Sequence, residues 1–275
     1  MPTIALLQMT SGIDPEANAA SIADAATRAA GEGASMLFTP EMAGLLDRKR
    51  KRAAGHIVPE SESPVVERVA RAASDAGIWI ALGLPVARAD GRWANRTVLF
   101  DAQGQVAARY DKIHMFDVEL DTGESWRESA AYAPGEQVVT VEDTPLGRLG
   151  LTICYDIRFP ALFEELGRRA CDAVAIPAAF TVPTGKAHWH LLQRARAVEA
   201  STFVIAAAQV GEHEDGRTTY GHSLVVDPWG EVLLDMGGEN AGLTLCDIDL
   251  ERIAEVRKQL PSLANKRDIP TSRGQ

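Results

Sequence analysis

A chain of 275 residues with 46% hydrophobic and 24% charged residues has the balance of a folded globular protein, which excludes intrinsic disorder. Its net charge of −10 argues against sequence-independent binding to nucleic acid or anionic membrane, because either polyanion would repel it. A small anionic substrate would need local Arg or Lys at its site.

Thr3 to Met9 reads as a buried strand. Asp14-Pro15 has the chemistry of an N-cap followed by Pro at the first helical position, so Glu16 to Ala30 continues as an alanine-rich helix with Gly31 as its stop. Ala34 to Thr39 is a second strand, ending at Pro40-Glu41. Ser63 opens a helix over Pro64 to Ala76, Gly77 closes it, and a strand follows over Ile78 to Leu84. Arg96 to Phe100 and Val106 to Tyr110 form a hairpin turning on Gln103-Gly104. Residues 113–135 are irregular, charged and aromatic, and a loop of that length in a compact domain is often functional. Beyond it come a strand over Arg148 to Cys154, a helix from Pro160 to Arg169, a strand over Ala173 to Ala178, a helix over Ala187 to Ala200 and a strand over Phe203 to Gln209. A second hairpin, Ser223 to Asp227 and Glu231 to Asp235, turns on Pro228-Trp229-Gly230. Leu243 to Ile248 is the last strand and Leu250 to Gln259 the last helix, leaving a polar tail from about Pro261. The pattern is a single mixed α/β domain over residues 1–275, without linker or short repeat. Helix, strand and hairpin recur in both halves, which hints at two similar layers.

Three cysteines, Cys154, Cys171 and Cys246, without a C-x-x-C pair make neither a disulfide framework nor a zinc site, and fit a reducing cytoplasm. The N-terminal segment lacks the basic region and long apolar run of a signal peptide, and no stretch approaches the roughly 18 apolar residues of a membrane span.

Cys154 stands at the end of an apolar strand, before polar Tyr155-Asp156, where α/β folds present catalytic groups. A buried structural thiol is the plainer alternative, and Cys171 and Cys246, which lack the polar turn, keep that reading. A cysteine nucleophile needs a base and an oxyanion stabiliser. His114, His188, His190 and His222 lie near polar segments, but no spacing selects one. His188 and His190 are two apart on a helix, so their rings face apart and do not form a metal pair. Glu41 follows a strand through Pro40, which cannot extend the ladder, and Lys112 follows the first hairpin; either alone is more often a solvated charge. Phosphate-loop and serine-hydrolase motifs fail: Gly185-Lys186 lacks the Ser or Thr of a phosphate loop, and Val225 replaces the closing Gly after Gly221-His222-Ser223.

Pro40-Glu41, then Tyr110-Asp-Lys112-Ile-His-Met-Phe116, then Gly150-Leu-Thr-Ile-Cys154-Tyr-Asp-Ile-Arg158-Phe-Pro160 together resemble the nitrilase superfamily of carbon–nitrogen hydrolases. The resemblance continues through Ala187-His-Trp189, Arg194 to Glu199, Tyr220 to Ser223 and Val226 to Gly230, and spans Ile4 to about Lys266. It implies a four-layer α-β-β-α sandwich and maps the family's glutamate, lysine and cysteine onto Glu41, Lys112 and Cys154. A second, supporting glutamate falls on Glu128, with Glu124 its competitor. The mechanism implied is cofactor-independent and uses no metal. Lys112 lowers the Cys154 pKa and Glu41 takes the thiol proton. The thiolate attacks an amide carbonyl, and Lys112 and the Tyr155 backbone N–H hold the oxyanion.

Cys154 to Pro160, with Ala187 to Trp189 and Tyr220 to Ser223, looks most like the branch containing deaminated-glutathione amidase and omega-amidase. Substrates there carry an α-keto acid and a scissile amide, and differ in leaving group. Val226-Asp-Pro-Trp229, Ala206 to Gln209 and Arg158-Phe-Pro160 lean toward the deaminated-glutathione type. N-carbamoyl amino acid hydrolysis is the runner-up reaction, and a catalytically silent scaffold the alternative from another class. By analogy with carbamoylase relatives Arg158 grips the substrate carboxylate, unless it is a structural partner of Asp156 or Glu164. The resemblance also implies a homodimer or higher homo-oligomer paired through Pro160 to Ala170 and Ala187 to Ala200, with a small amide as the other partner.

Overall fold

The computed structural model describes residues 1–121, 123 and 125–269. The first half runs β1 (Thr3–Gln8), α1 (Pro15–Gly31), β2 (Met36–Phe38), a one-turn α2 (Arg50–Ala53), α3 (Pro64–Ala76), β3 (Trp79–Ala87), β4 (Trp93–Phe100) and β5 (Val106–Asp111). A small hairpin of β6 (Asp117–Glu119) and β7 (Ser125–Arg127) interrupts the long loop. The second half runs β8 (Val139–Thr144), β9 (Gly147–Leu151), α4 (Pro160–Arg168), β10 (Ala173–Ala175), α5 (Val182–Ala200), β11 (Phe203–Ala206), a hairpin of β12 (Val210–Glu212) and β13 (Thr218–Tyr220), β14 (Leu224–Val226), β15 (Val232–Asp235), β16 (Gly242–Asp247) and α6 (Glu251–Gln259).

Two six-stranded sheets result, ordered β16-β1-β2-β3-β4-β5 and β15-β14-β11-β10-β9-β8. Each has a parallel centre, β1-β2-β3 in one and β9-β10-β11 in the other, extended by an antiparallel hairpin past the third strand and one antiparallel strand before the first. The two halves therefore repeat one unit, strand–helix–strand–helix–strand–hairpin, as the recurrence in the sequence suggests.

Layering follows from strand alternation. In β1, Ile4 and Leu6 join the core shared with the second sheet, whereas Ala5 and Leu7 pack with Ala19, Ile22 and Val69 of α1 and α3. Leu162, Phe163, Leu166 and Trp189 of α4 and α5 cover the second sheet. The order is helices, sheet, sheet, helices: an α-β-β-α sandwich. Strands covered on both faces read as unbroken apolar runs, and β1 and β2 do so here.

Helix ends follow their caps. Asp14 accepts from the N–H groups of Glu16 and Ala17, and Ser63 from Val66. Gly77 closes α3 at φ +65°. α1 ends on Gly31, its last helical residue, with Glu32 as the cap and Gly33 taking the positive φ. Two boundaries near the site differ from expectation. The catalytic-side strand ends at Leu151, and Cys154 begins a 3₁₀ turn, Cys154–Arg158. α5 starts at Val182 rather than Ala187, with Pro183 in its first turn. β8 and the β12–β13 hairpin were not foreseen.

Candidate active site

Glu41, Lys112 and Cys154 each follow the C-terminal end of a strand, β2, β5 and β9. Thr39 hydrogen-bonds Ala81 of β3 through backbone and hydroxyl, which carries Pro40-Glu41 along that strand. Gly83 permits the approach: a Cβ there would collide with the Pro40 carbonyl oxygen and lie 3.1 Å from the Glu41 Cα. Gly135 serves Lys112 alike. Its N–H donates to the Lys112 carbonyl at 2.8 Å, and a Cβ would collide with the Asp111 carbonyl.

The Lys112 ammonium is buried between two carboxylates. Its Nζ is 2.9 Å from Glu41 Oε1 and 3.0 Å from Glu128 Oε2. Asn95 closes the ring, donating from Nδ2 to Glu41 Oε1 at 2.7 Å and to Glu128 Oε1 at 2.9 Å. The Ala179 N–H donates to Glu41 Oε2 at 2.8 Å, and the Phe116 N–H to Glu128 Oε2 at 2.7 Å. The structure thus brings Glu41, Lys112, Cys154 and Glu128 together. Glu124, the competitor of Glu128, lies outside the described residues. Asn95 escaped the sequence reading; it stands beside Arg96 and Thr97 in β4, where nothing local sets it apart.

Cys154 has φ +47°, a left-handed conformation that non-glycine residues seldom adopt, and its N–H donates to Pro177 O at 2.9 Å. The turn is pinned by Asp156, which is fully buried. Its carboxylate accepts from Tyr110 Oη at 2.7 Å, the His114 N–H at 3.0 Å and the Ile153 N–H at 3.0 Å, so one side chain ties the Cys154 turn to the segment carrying Lys112. Tyr155 follows Cys154 in the first turn, where helix N–H groups lack intrahelical acceptors.

Burial pushes the Glu41 carboxyl up, but the charge and hydrogen bond of Lys112, with hydrogen bonds from Cys154 and Asn95, outweigh it and hold the group below the carboxylate range. Burial pushes the Lys112 ammonium down, yet Glu128 and Glu41 raise it well above normal. Burial pushes the Cys154 thiol well up, and the adjacent Glu41 charge adds to this. Lys112 does pull the thiol down, as expected, but it loses to burial and Glu41. These directions favour a neutral thiol beside a carboxylate in the resting site, which leaves the thiol proton for Glu41 to take, as the resemblance implies. Such a pair can deliver a nucleophile by transferring the thiol proton as the sulfur attacks.

These groups open into a cavity of about 1000 Å³. Phe116, Trp126, Glu128 and Tyr132 of the long loop line it, together with Tyr155, Phe180, Thr184, Arg48 and Arg217. Among the described residues, no histidine lines it, and Glu41 is the carboxylate beside Cys154. His114 is held by Asp156 and stacks on Phe159 at 3.5 Å between ring centres. Arg158 does not line the cavity. Its guanidinium lies 5.5 Å from the Phe180 ring centre and 5.9 Å from that of Tyr155, with His188 Nδ1 3.4 Å away. It pairs with neither Asp156 nor Glu164; Glu164 meets Lys266.

Residues 3–258 match the family described as carbon-nitrogen hydrolase. Deaminated glutathione amidase of Yersinia enterocolitica is 40% identical over 97% of this chain and 93% of its own. The C. elegans NitFhit protein superposes with a TM-score of 0.88 at 34% identity, covering 97% of this chain, which spans 65% of that protein. A Glu-to-Gln mutant of the amidase from Nesterenkonia sp. AN1, with the acetamide moiety of fluoroacetamide added covalently at its active site cysteine, superposes with a TM-score of 0.82 at 29% identity over 97% of this chain and 94% of that one. The chain belongs to the carbon-nitrogen hydrolase family of the nitrilase superfamily. It is an amidase, a hydrolase of carbon–nitrogen bonds other than peptide bonds.

Proposed function

We propose that the chain hydrolyses deaminated glutathione to 2-oxoglutarate and Cys-Gly through a thioester on Cys154. Glu41 accepts the Cys154 proton as sulfur attacks the amide carbonyl. Lys112 and the Tyr155 N–H hold the oxyanion, and Glu128 keeps Lys112 aimed. The protonated Glu41 gives its proton to the departing nitrogen, Cys-Gly leaves, and Glu41 then activates the water that releases the acid. None of these steps uses a cofactor.

One observation carries the choice of substrate. The cavity is at the upper end of the ~300–1,000 Å³ of small-molecule sites, more room than an ammonia leaving group requires, and Arg48 and Arg217 reach it. Two arginines suit a substrate with a carboxylate at each end. The name of the Yersinia relative agrees. The test is a side-by-side assay of Cys-Gly release from deaminated glutathione and ammonia release from α-ketoglutaramate. We expect the higher kcat/KM for the first; preference for the second would make the chain an omega-amidase.

Arg158, expected to grip the substrate carboxylate, lies behind Tyr155 and Phe180 and outside the cavity lining, so its proposed role is to support those two rings while Arg48 and Arg217 meet the carboxylates. We further propose a homodimer formed through α4 and α5, where Leu191 and Val198 are exposed while Trp189 is wholly buried. A cytoplasmic location is supported by three free thiols. No helix among the described residues is long and apolar enough to cross a membrane.

A further inference from the structure

We propose that His190, His222 and Asp235 form a binding site for one divalent transition cation, Zn²⁺ in the first instance, on the outer face of the second sheet. None of the three lines the catalytic cavity. One ligand atom from each residue lies within 4.8 Å of the others. His190 Nε2 is 2.8 Å from Asp235 Oδ2, and His222 Nδ1 is 2.9 Å from Asp235 Oδ1. A tetrahedral zinc at ~2.0–2.1 Å from each donor sets its ligand atoms about 3.3 Å apart, so the two imidazole separations from Asp235 Oδ2, 2.8 Å for His190 and 3.1 Å for His222, need open by only about half an ångström or less. Two imidazoles and one carboxylate are a ligand set that Zn²⁺ accepts, with the fourth position left to water. Both rings are neutral ligands. On binding, the proton each shares with Asp235 moves to the other ring nitrogen, which faces away from the ion.

The donors are held in advance of any ion. Gly221 and His222 are consecutive residues in the left-handed region, at φ +72° and +56°, an unusual conformation for histidine that aims its ring outward from the hairpin. The His222 N–H donates to Gly237 O at 2.8 Å, and Trp189 Nε1 donates to His222 O at 2.8 Å. The Tyr220 ring stacks on the His222 ring at 4.4 Å. The Gly237 N–H donates to Asp235 Oδ1 at 2.9 Å, orienting the carboxylate as outer partners orient metal ligands. The sequence cannot show this set, because its members come from α5, the segment before β14, and the end of β15. His188, two residues from His190 on the same helix, turns to Arg158, in keeping with rings that face apart. A bound ion would fasten α5, whose first turn carries Thr184 into the cavity wall, to the β14–β15 hairpin.

Co²⁺ serves as the spectroscopic probe, with the full chain bearing Cys154→Ser so that the thiol cannot bind the ion. The expected result is one Co²⁺ per chain, visible d–d absorption of a four- or five-coordinate ion, displacement by Zn²⁺, and a melting temperature that rises with metal concentration. His190→Ala and Asp235→Asn should each weaken binding by more than ~100-fold, beyond the ~10–100-fold typical of losing an outer-shell partner. Both variants, made in the chain with Cys154 intact, should keep their amidase activity, which shows that they fold. Binding weaker than about 1 mM, more than one equivalent per chain, or binding that survives both substitutions would overturn the proposal.

Discussion

Glu41 is ionised and Cys154 is protonated at neutral pH because burial acts on both while Lys112 is close enough to rescue only the carboxylate. This predicts the pH profile of kcat/KM. Activity should fall on the acid side as pH drops through the lowered Glu41 pKa, below the ordinary value of 4.5, and should show no limb at the usual thiol pKa of about 8.5. A rise in rate through pH 8–9 would mean that a preformed thiolate is required and that Glu41 is not the base. The same groups set stability. Glu41, depressed on folding, stabilises the fold above about pH 4.5 and loses that contribution as pH falls; Cys154, raised on folding, contributes below about pH 9 and loses it as pH rises. Substitutions follow the roles. Cys154→Ala and Glu41→Gln should be inactive yet folded, whereas Cys171→Ala and Cys246→Ala should turn over. Lys112→Ala should lose at least the ~2.7–4 kcal/mol of an oxyanion donor. It should also melt earlier, because Glu41 and Glu128 are left facing each other in a buried site. A loss of only a few-fold would remove Lys112 from the mechanism.

At the scale of elements, the catalytic groups depend on backbones that come closer than side chains allow. Gly83→Ala should push Pro40-Glu41 off β3, and a misplacement of about 1 Å is worth up to ~10²-fold in rate. We expect kcat to fall at least tenfold with far-UV circular dichroism unchanged; full activity would show that the β2–β3 edge can yield. Legibility in the sequence divides along the same line. α3 was readable to the residue, because Ser63, Pro64 and Gly77 act within one turn of it. That Glu41, Lys112 and Cys154 meet at one cavity was foreshadowed by their motifs. Asn95 was not, since what marks it is contact with two glutamates 54 and 33 residues away. The early end of β9 was hidden for a similar reason: Thr152 and Ile153 stay apolar-compatible and buried after the ladder stops, so the pattern continues where the strand does not. The charged sequence of β8, Val139 to Thr144, hides an edge strand, since only one neighbour and one covered face constrain it.

For the whole molecule, both sheets are closed on the outside by two helices, yet the two outer faces are unequal. The exposed large apolar side chains include Leu191 and Val198 on α5 and Trp229, Val232 and Leu233 on the neighbouring hairpin, whereas α1 and α3 contribute none to that set. Leu191, at 66% exposed, is the most open of these five. Isolated exposed apolar residues are ordinary, but several on adjacent elements of one layer mark an association surface. A two-fold pairing would place the same patch on itself, which needs no charge complementarity and so suits a chain of net charge −10. Light scattering at micromolar concentration should therefore give about twice the 29.6 kDa of one chain. Leu191→Glu, which sets two like charges near the axis while leaving the core untouched, should return the mass to that of a monomer without lowering the circular dichroism signal. A wild-type chain that is already monomeric would refute the pairing, and a Leu191→Glu chain that remains dimeric would move it to another face.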